Sequence, residues 1–120
     1  MDGLEILEYN GSGYFAPFKF ERWRIAFLNS AERFTKQGIT YLERHTKTDE
    51  VFVLINGQAT LLVGEAGSEI DMVQGKLYVI KQNQWHNIVV SEDAKILIVE
   101  NADTGKENTE YIEFGYEMVK

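Results

Sequence analysis

The 120-residue chain, 44% hydrophobic and 12% aromatic, is long enough to bury one core and too short to divide into two. Its net charge of −7 opposes nucleic acid and anionic membrane surfaces as partners, since both are polyanions that need clustered Lys and Arg. With no Cys there is no disulfide framework, no thiolate metal site and no thiol nucleophile. The start, Met1-Asp2-Gly3-Leu4-Glu5, lacks the basic-then-apolar layout of a leader, and no apolar run approaches the ~20 residues of a membrane span, so a cytoplasmic location is expected.

Residues 4–9 alternate loosely and predict a short strand, closed by the turn signal Asn10-Gly11-Ser12-Gly13. Residues 14–20 are aromatic and contain Pro17, which predicts an edge strand or covering segment. Residues 23–28 predict a strand, and the polar stretch 29–37 is too short to stabilise more than about one helical turn. Residues 39–45 form the next strand, with Tyr41, Glu43 and His45 on one face because side chains alternate with period two. After the polar turn 46–49 comes a strand over 50–55, and Asn56-Gly57 predicts a two-residue hairpin into 59–63. Further strands are expected over 69–73, over 77–80 as a short buried one, and over 86–90. Residues 94–100 contain Ile96-Leu97-Ile98-Val99, apolar on both faces and therefore central, and 111–114 form a last strand after a polar loop. No window carries the apolar spacing of an amphipathic helix. About nine to eleven short strands predict an all-β antiparallel sandwich or barrel. Residues 1–120 are read as a single domain, with N-terminal strands over 4–28 packing on the barrel.

Glu43, His45 and Glu50 fall on two consecutive predicted strands, and His86 is the only other histidine. Turned into a barrel these groups need compensation, because an unpaired buried ion costs several kcal/mol. A divalent cation supplies it: two carboxylates cancel its charge, two imidazoles complete four ligands, and open positions remain for water or substrate. The competing expectation makes His45 and His86 hydrogen-bonded barrel residues and pairs Glu43 with Arg44 or a lysine. Tyr41 is a candidate acid or hydrogen-bond donor near a substrate, or ordinary packing. Trp85 is expected at a pocket rim or in the core. Tyr14, Phe15, Phe18, Phe20 and Trp23 line either a ligand cavity or a dimer interface.

Two segments resemble the paired motifs of the cupins. The first cupin motif runs Gly, five residues, His-x-His, three or four residues, Glu, six residues, Gly. Glu50 and Gly57 match its second half. With the four-residue spacer His45 falls on the second His and Glu43 on the first, with Gly38 one residue closer than the pattern has it; with the three-residue spacer the two positions become Arg44 and Thr46. The second motif runs Gly, five residues, Pro-x-Gly, two residues, His, three residues, Asn. Gly75 and His86 match, Lys81 replaces Pro, Val90 replaces Asn, and Asn83 replaces Gly, a substitution that left-handed φ tolerates.

The resemblance implies a cupin fold, the antiparallel double-stranded β-helix or jelly-roll barrel. It also implies a metal site of Glu43, His45, Glu50 and His86 holding a divalent transition metal (Zn, Fe, Mn or Ni), with a small polar metabolite above it. Isomerase, lyase and dioxygenase chemistry all occur in the superfamily, the catalytic residues are unassigned apart from the candidate Tyr41, and Tyr41 with Trp85 would line the substrate pocket. A homodimer is implied by the edge-strand pairing of cupins. The alternative is a non-catalytic cupin that binds a small ligand without metal.

Overall fold

The computed structural model describes residues 2–119. Ten strands form two five-stranded antiparallel sheets. The first sheet has the order β1 (Tyr14–Phe20), β2 (Trp23–Asn29), β9 (Lys95–Asn101), β4 (Glu50–Asn56), β7 (Leu77–Ile80). The second has β10 (Thr109–Glu113), β3 (Tyr41–His45), β8 (His86–Val90), β5 (Ala59–Val63), β6 (Ser68–Asp71). From β3 onward the chain changes sheet at every connection except β5 to β6, so it winds as a double-stranded β-helix, the all-β class expected from the sequence. Alternation puts Ala26, Leu28, Phe52, Leu54, Ile96 and Ile98 of one sheet inward against Leu61, Ile88 and Val90 of the other.

β9 lies between β2 and β4, as its doubly apolar sequence requires. β1 is an edge strand, and its register shifts between Phe15 and Phe18, around Pro17, whose missing N–H would break a central ladder. The 29–37 segment contains only the short 3-10 turn Glu32–Phe34.

Three local expectations fail. Residues 4–9 form no strand. They run along the outer face of β1 and β2, where Leu4 and Leu7 border a groove with Phe18, Ile25 and Phe27. The free edge they would have to join is interrupted by Pro17. Asn56-Gly57 does not close a hairpin: β4 is paired on both sides, by β9 and β7, so the turn carries the chain over to the second sheet. Gly57 is needed there, since its φ is +75° and an added Cβ would come within 2.7 Å of Asp93 and 2.8 Å of the Ala94 backbone. The strand over 77–80 is not buried, because β7 is the other edge of its sheet and Leu77 is 70% exposed.

The outward face of the first sheet is apolar in two unbroken rows. Ile25, Val99, Val51 and Val79 stand side by side across four strands, and Phe27, Leu97, Val53 and Leu77 form the next row.

Candidate metal centre

The end of β3, the start of β4 and the start of β8 meet at one end of the barrel. Glu43 stands directly opposite His86 in the β3–β8 pair, and β10 sets Thr109 opposite His45 and Tyr111 opposite Glu43. β4 brings Glu50 across from the facing sheet. The turn that delivers His86 is shaped by Asn83, whose φ of +70° confirms the left-handed position expected where the second motif has Gly.

The four side chains named from the sequence converge, with one donor atom from each lying within 4.8 Å of all the others. Glu50 is the hub: its Oε1 is 2.9 Å from His86 Nε2 and 3.0 Å from His45 Nε2. Glu43 Oε2 is 3.4 Å from His45 Nε2 and 3.9 Å from His86 Nε2. His45, Glu50 and His86 are buried, and Glu43 is half-buried. The orientation of each ring is set from behind. His86 Nδ1 donates to the Gln84 carbonyl at 2.9 Å, so its Nε2 faces the centre, and His45 Nδ1 lies 2.9 Å from the Thr109 hydroxyl. Such support is the usual companion of a ligating imidazole.

These separations suit an ion. Bonds of about 2.0–2.2 Å place neighbouring donors about 3 Å apart when they subtend a right angle. His45 Nε2 is also buried without a hydrogen bond, since the Glu50 oxygen beside it lies off the direction such a bond needs. A buried nitrogen aimed inward without a hydrogen bond is available as a metal ligand.

Protons can hold the same charges together. Burial pulls the His45 pKa down, but the Glu43 and Glu50 carboxylates outweigh it and raise the group to about 10. His86 moves in the same direction: burial opposes the rise and Glu50 drives it. For Glu50, burial pushes upward and the two imidazoles prevail, holding it well below the usual carboxylate range.

A second buried acid adjoins this centre. Glu100 Oε2 accepts hydrogen bonds from Tyr14 Oη at 2.5 Å and from Arg24 Nη2 and Nε at 2.6 and 2.9 Å. Burial, then the neighbouring Glu50 carboxylate, push Glu100 up to about 7. The sequence carries half of the signal for this pair, the alternation along each strand, and the strand register supplies the rest. Arg24 alternates with the inward Ala26 and Leu28, Glu100 alternates with the inward Ile96 and Ile98, and the two stand opposite each other in the β2–β9 register.

Above the four donors is a cavity of about 250 Å³. Leu28, Phe52, Ile88 and Ile98 supply its apolar lining, Tyr14, Tyr41 and Tyr111 its hydroxyls, and the exposed Arg33 and Lys106 also border it. Tyr41 lines this cavity, in edge-to-face contact with Tyr111 at 5.2 Å. Trp85 does not. It precedes His86 by one residue on the same strand path, so it points away from the cavity, packs beside the cluster of Ile39, Leu42, Leu62 and Phe114, and carries the Arg44 guanidinium 4.4 Å over its ring. Arg44 pairs with Glu110 at 2.7 Å rather than with Glu43, and no lysine pairs with Glu43 among the described residues. Of the N-terminal aromatic residues only Tyr14 lines the cavity; Phe15, Phe20 and Trp23 are exposed.

No protein-family model and no curated protein matches the chain. Solved structures do match its fold. Pac13 from Streptomyces, described as a nucleoside dehydratase and solved with uridine, is 10% identical over 92% of this chain and 86% of its own, with a TM-score of 0.67. A cupin-2 domain protein from Shewanella frigidimarina is 20% identical over 78% of this chain and 84% of its own, at a TM-score of 0.60. A double-stranded β-helix protein from Klebsiella pneumoniae is 12% identical over 90% and 86%, at 0.66.

Proposed function

From the cupin fold that this chain adopts, we propose a protein that holds a divalent transition metal through Glu43, His45, Glu50 and His86 and takes a small polar metabolite into the cavity above it. The observation that carries this reading is the convergence of four buried or half-buried donors on one point, with the His45 nitrogen lacking a hydrogen bond. Zn, Fe, Mn and Ni all suit two imidazoles and two carboxylates. When bound, such an ion supplies a Lewis acid that polarises a substrate oxygen or lowers the pKa of a bound water.

The chain's own residues favour proton movement over oxygen chemistry, which points to a lyase or isomerase among the three reaction classes. Tyr41 and Tyr111 offer hydroxyls at the cavity wall, beside the apolar lining of Leu28, Phe52, Ile88 and Ile98. The dehydratase activity named for Pac13 is of the same elimination type. Residues 1–120 act in this reading as one cytoplasmic domain. No helix among the described residues is long and apolar enough to cross a membrane.

The test is metal content after purification without an affinity tag. The expected result is about one equivalent of transition metal per chain, lost in Glu43→Ala with the circular dichroism unchanged. Absence of metal, with thermal stability indifferent to added Mn²⁺, Fe²⁺, Ni²⁺ or Zn²⁺, would overturn it. That outcome would favour the second reading, a non-catalytic ligand-binding cupin. Its support is that His86 Nε2 and Glu50 already form a 2.9 Å hydrogen bond, so two imidazolium ions can balance two carboxylates with no ion present.

The two apolar rows on the outward face of the first sheet support a homodimer packed through that face. Light scattering is expected to give about twice the 13.8 kDa chain mass, and Leu77→Lys with Val79→Lys, both at exposed positions, to give the single mass. A doubled mass unchanged in that variant would remove this face from the interface.

A further inference from the structure

We propose that the substrate is an anion, a small carboxylate or phosphate ester, whose charged end is held at the cavity mouth by Arg33 and Lys106. This rests on the metabolite-binding reading above and specifies the class of molecule.

The charge balance leads to it. Two carboxylates face the candidate ion, so a divalent cation with two neutral imidazoles makes a centre with no surplus positive charge to hold an anionic end. The other cation on the cavity wall, Arg24, is fully engaged: it donates to Glu100 and to the carbonyls of Ala102 and Thr104. Arg33 and Lys106 are different. Both border the cavity, both are exposed, and neither forms an ion pair with a carboxylate among the described residues. Other surface cations of the chain also lack an ion pair, but among the described residues Arg33 and Lys106 are the ones without such a pair that border the cavity.

Both are also placed by structure. Arg33 sits on the 3-10 turn Glu32–Phe34, its guanidinium 4.6 Å over the buried Phe34 ring, which leaves its donor edge free for a planar or tetrahedral anion. Lys106 opens the 3-10 turn Lys106–Asn108. That turn is braced by the Asn108 side chain, which accepts from the Gly105 N–H and donates to the Asp103 carbonyl, and by Arg24, which donates to the Thr104 carbonyl. An anion seated between them would point the rest of a small molecule inward toward Tyr41, Tyr111 and the four donors.

The experiment titrates the full chain, metal-free and metal-loaded, with inorganic phosphate and separately with succinate, following backbone amide shifts by NMR. The double variant Arg33→Gln with Lys106→Gln alters only exposed side chains. Saturable binding of either probe by the wild type, weakened at least tenfold in the double variant with metal content unchanged, is the expected result, and the preferred probe tells phosphate ester from carboxylate. Equal binding by both proteins, or binding by neither, overturns the proposal. Binding that depends on the two cations in a chain that takes up no metal supports the anion site and removes the metal reading alone.

Discussion

Glu50→Ala is expected to lower the unfolding free energy of the metal-free protein by about 3–5 kcal/mol, the cost of leaving buried charges without their partner. Glu50 is 4% exposed and its Oε1 faces both imidazoles, so its removal leaves His45 and His86 to bear protons in a dry site or to give them up. Part of the loss is offset, since Glu100 is freed from the carboxylate that pushes its own pKa up. Glu50→Gln keeps an acceptor for one ring but loses the charge, and is expected to fall between wild type and Glu50→Ala. Denaturant titration at pH 7 measures both, and NMR titration should find the His45 pKa falling toward its ordinary value in each. A loss of less than about 1 kcal/mol for Glu50→Ala would show that the imidazoles do not depend on this carboxylate.

The metal-free protein is expected to lose stability as pH rises from about 6.5 to about 10, while the stabilisation given by an added transition metal grows over the same interval. The sign follows from the direction of each shift. His45 is raised from 6.5 to about 10, so its contribution is complete below about pH 6.5 and is lost as pH climbs through 10; His86 shifts the same way. Glu100, raised from 4.5 to about 7, gives a contribution complete below about pH 4.5 and lost through 7. Glu50 is opposite: held below 4.5, it stabilises above that pH and fails only as pH falls through its lowered value. A metal must displace the imidazole protons, so while both rings are protonated each pH unit should tighten the apparent affinity by up to about 100-fold, tenfold per proton. Thermal melts at several pH values, with and without Zn²⁺ or Mn²⁺, measure this. A metal-induced shift independent of pH would mean that protons and metal do not compete for these nitrogens.

The four donors were legible because short-range rules place them. Period-two alternation puts Glu43 and His45 on one face, and motif spacing assigns Glu50 and His86. Asn83 was legible for the same reason, as a local backbone requirement. Of the two places expected for Trp85 the core is the one it takes, because one step from an inward His is an outward residue. The Asn56-Gly57 hairpin failed because turn preference is local, whereas the pairing of β4 with β9 and β7 is decided by distant segments. The pairing of Arg24 with Glu100 is likewise decided at long range. The two residues are 76 positions apart, and only the β2–β9 register makes them partners.

The alternation of the chain between two sheets bears on how such a centre would act during folding. Glu43, His45 and His86 belong to one sheet and Glu50 to the other, so neither sheet alone contains the site, and the donors meet only when β3, β4 and β8 have closed over long stretches of chain. Pairings of this kind carry large loop-closure costs and form late. An ion bound there ties layer to layer after the barrel has shut. Its stabilisation is therefore expected as slower opening of the native protein rather than faster arrival at it.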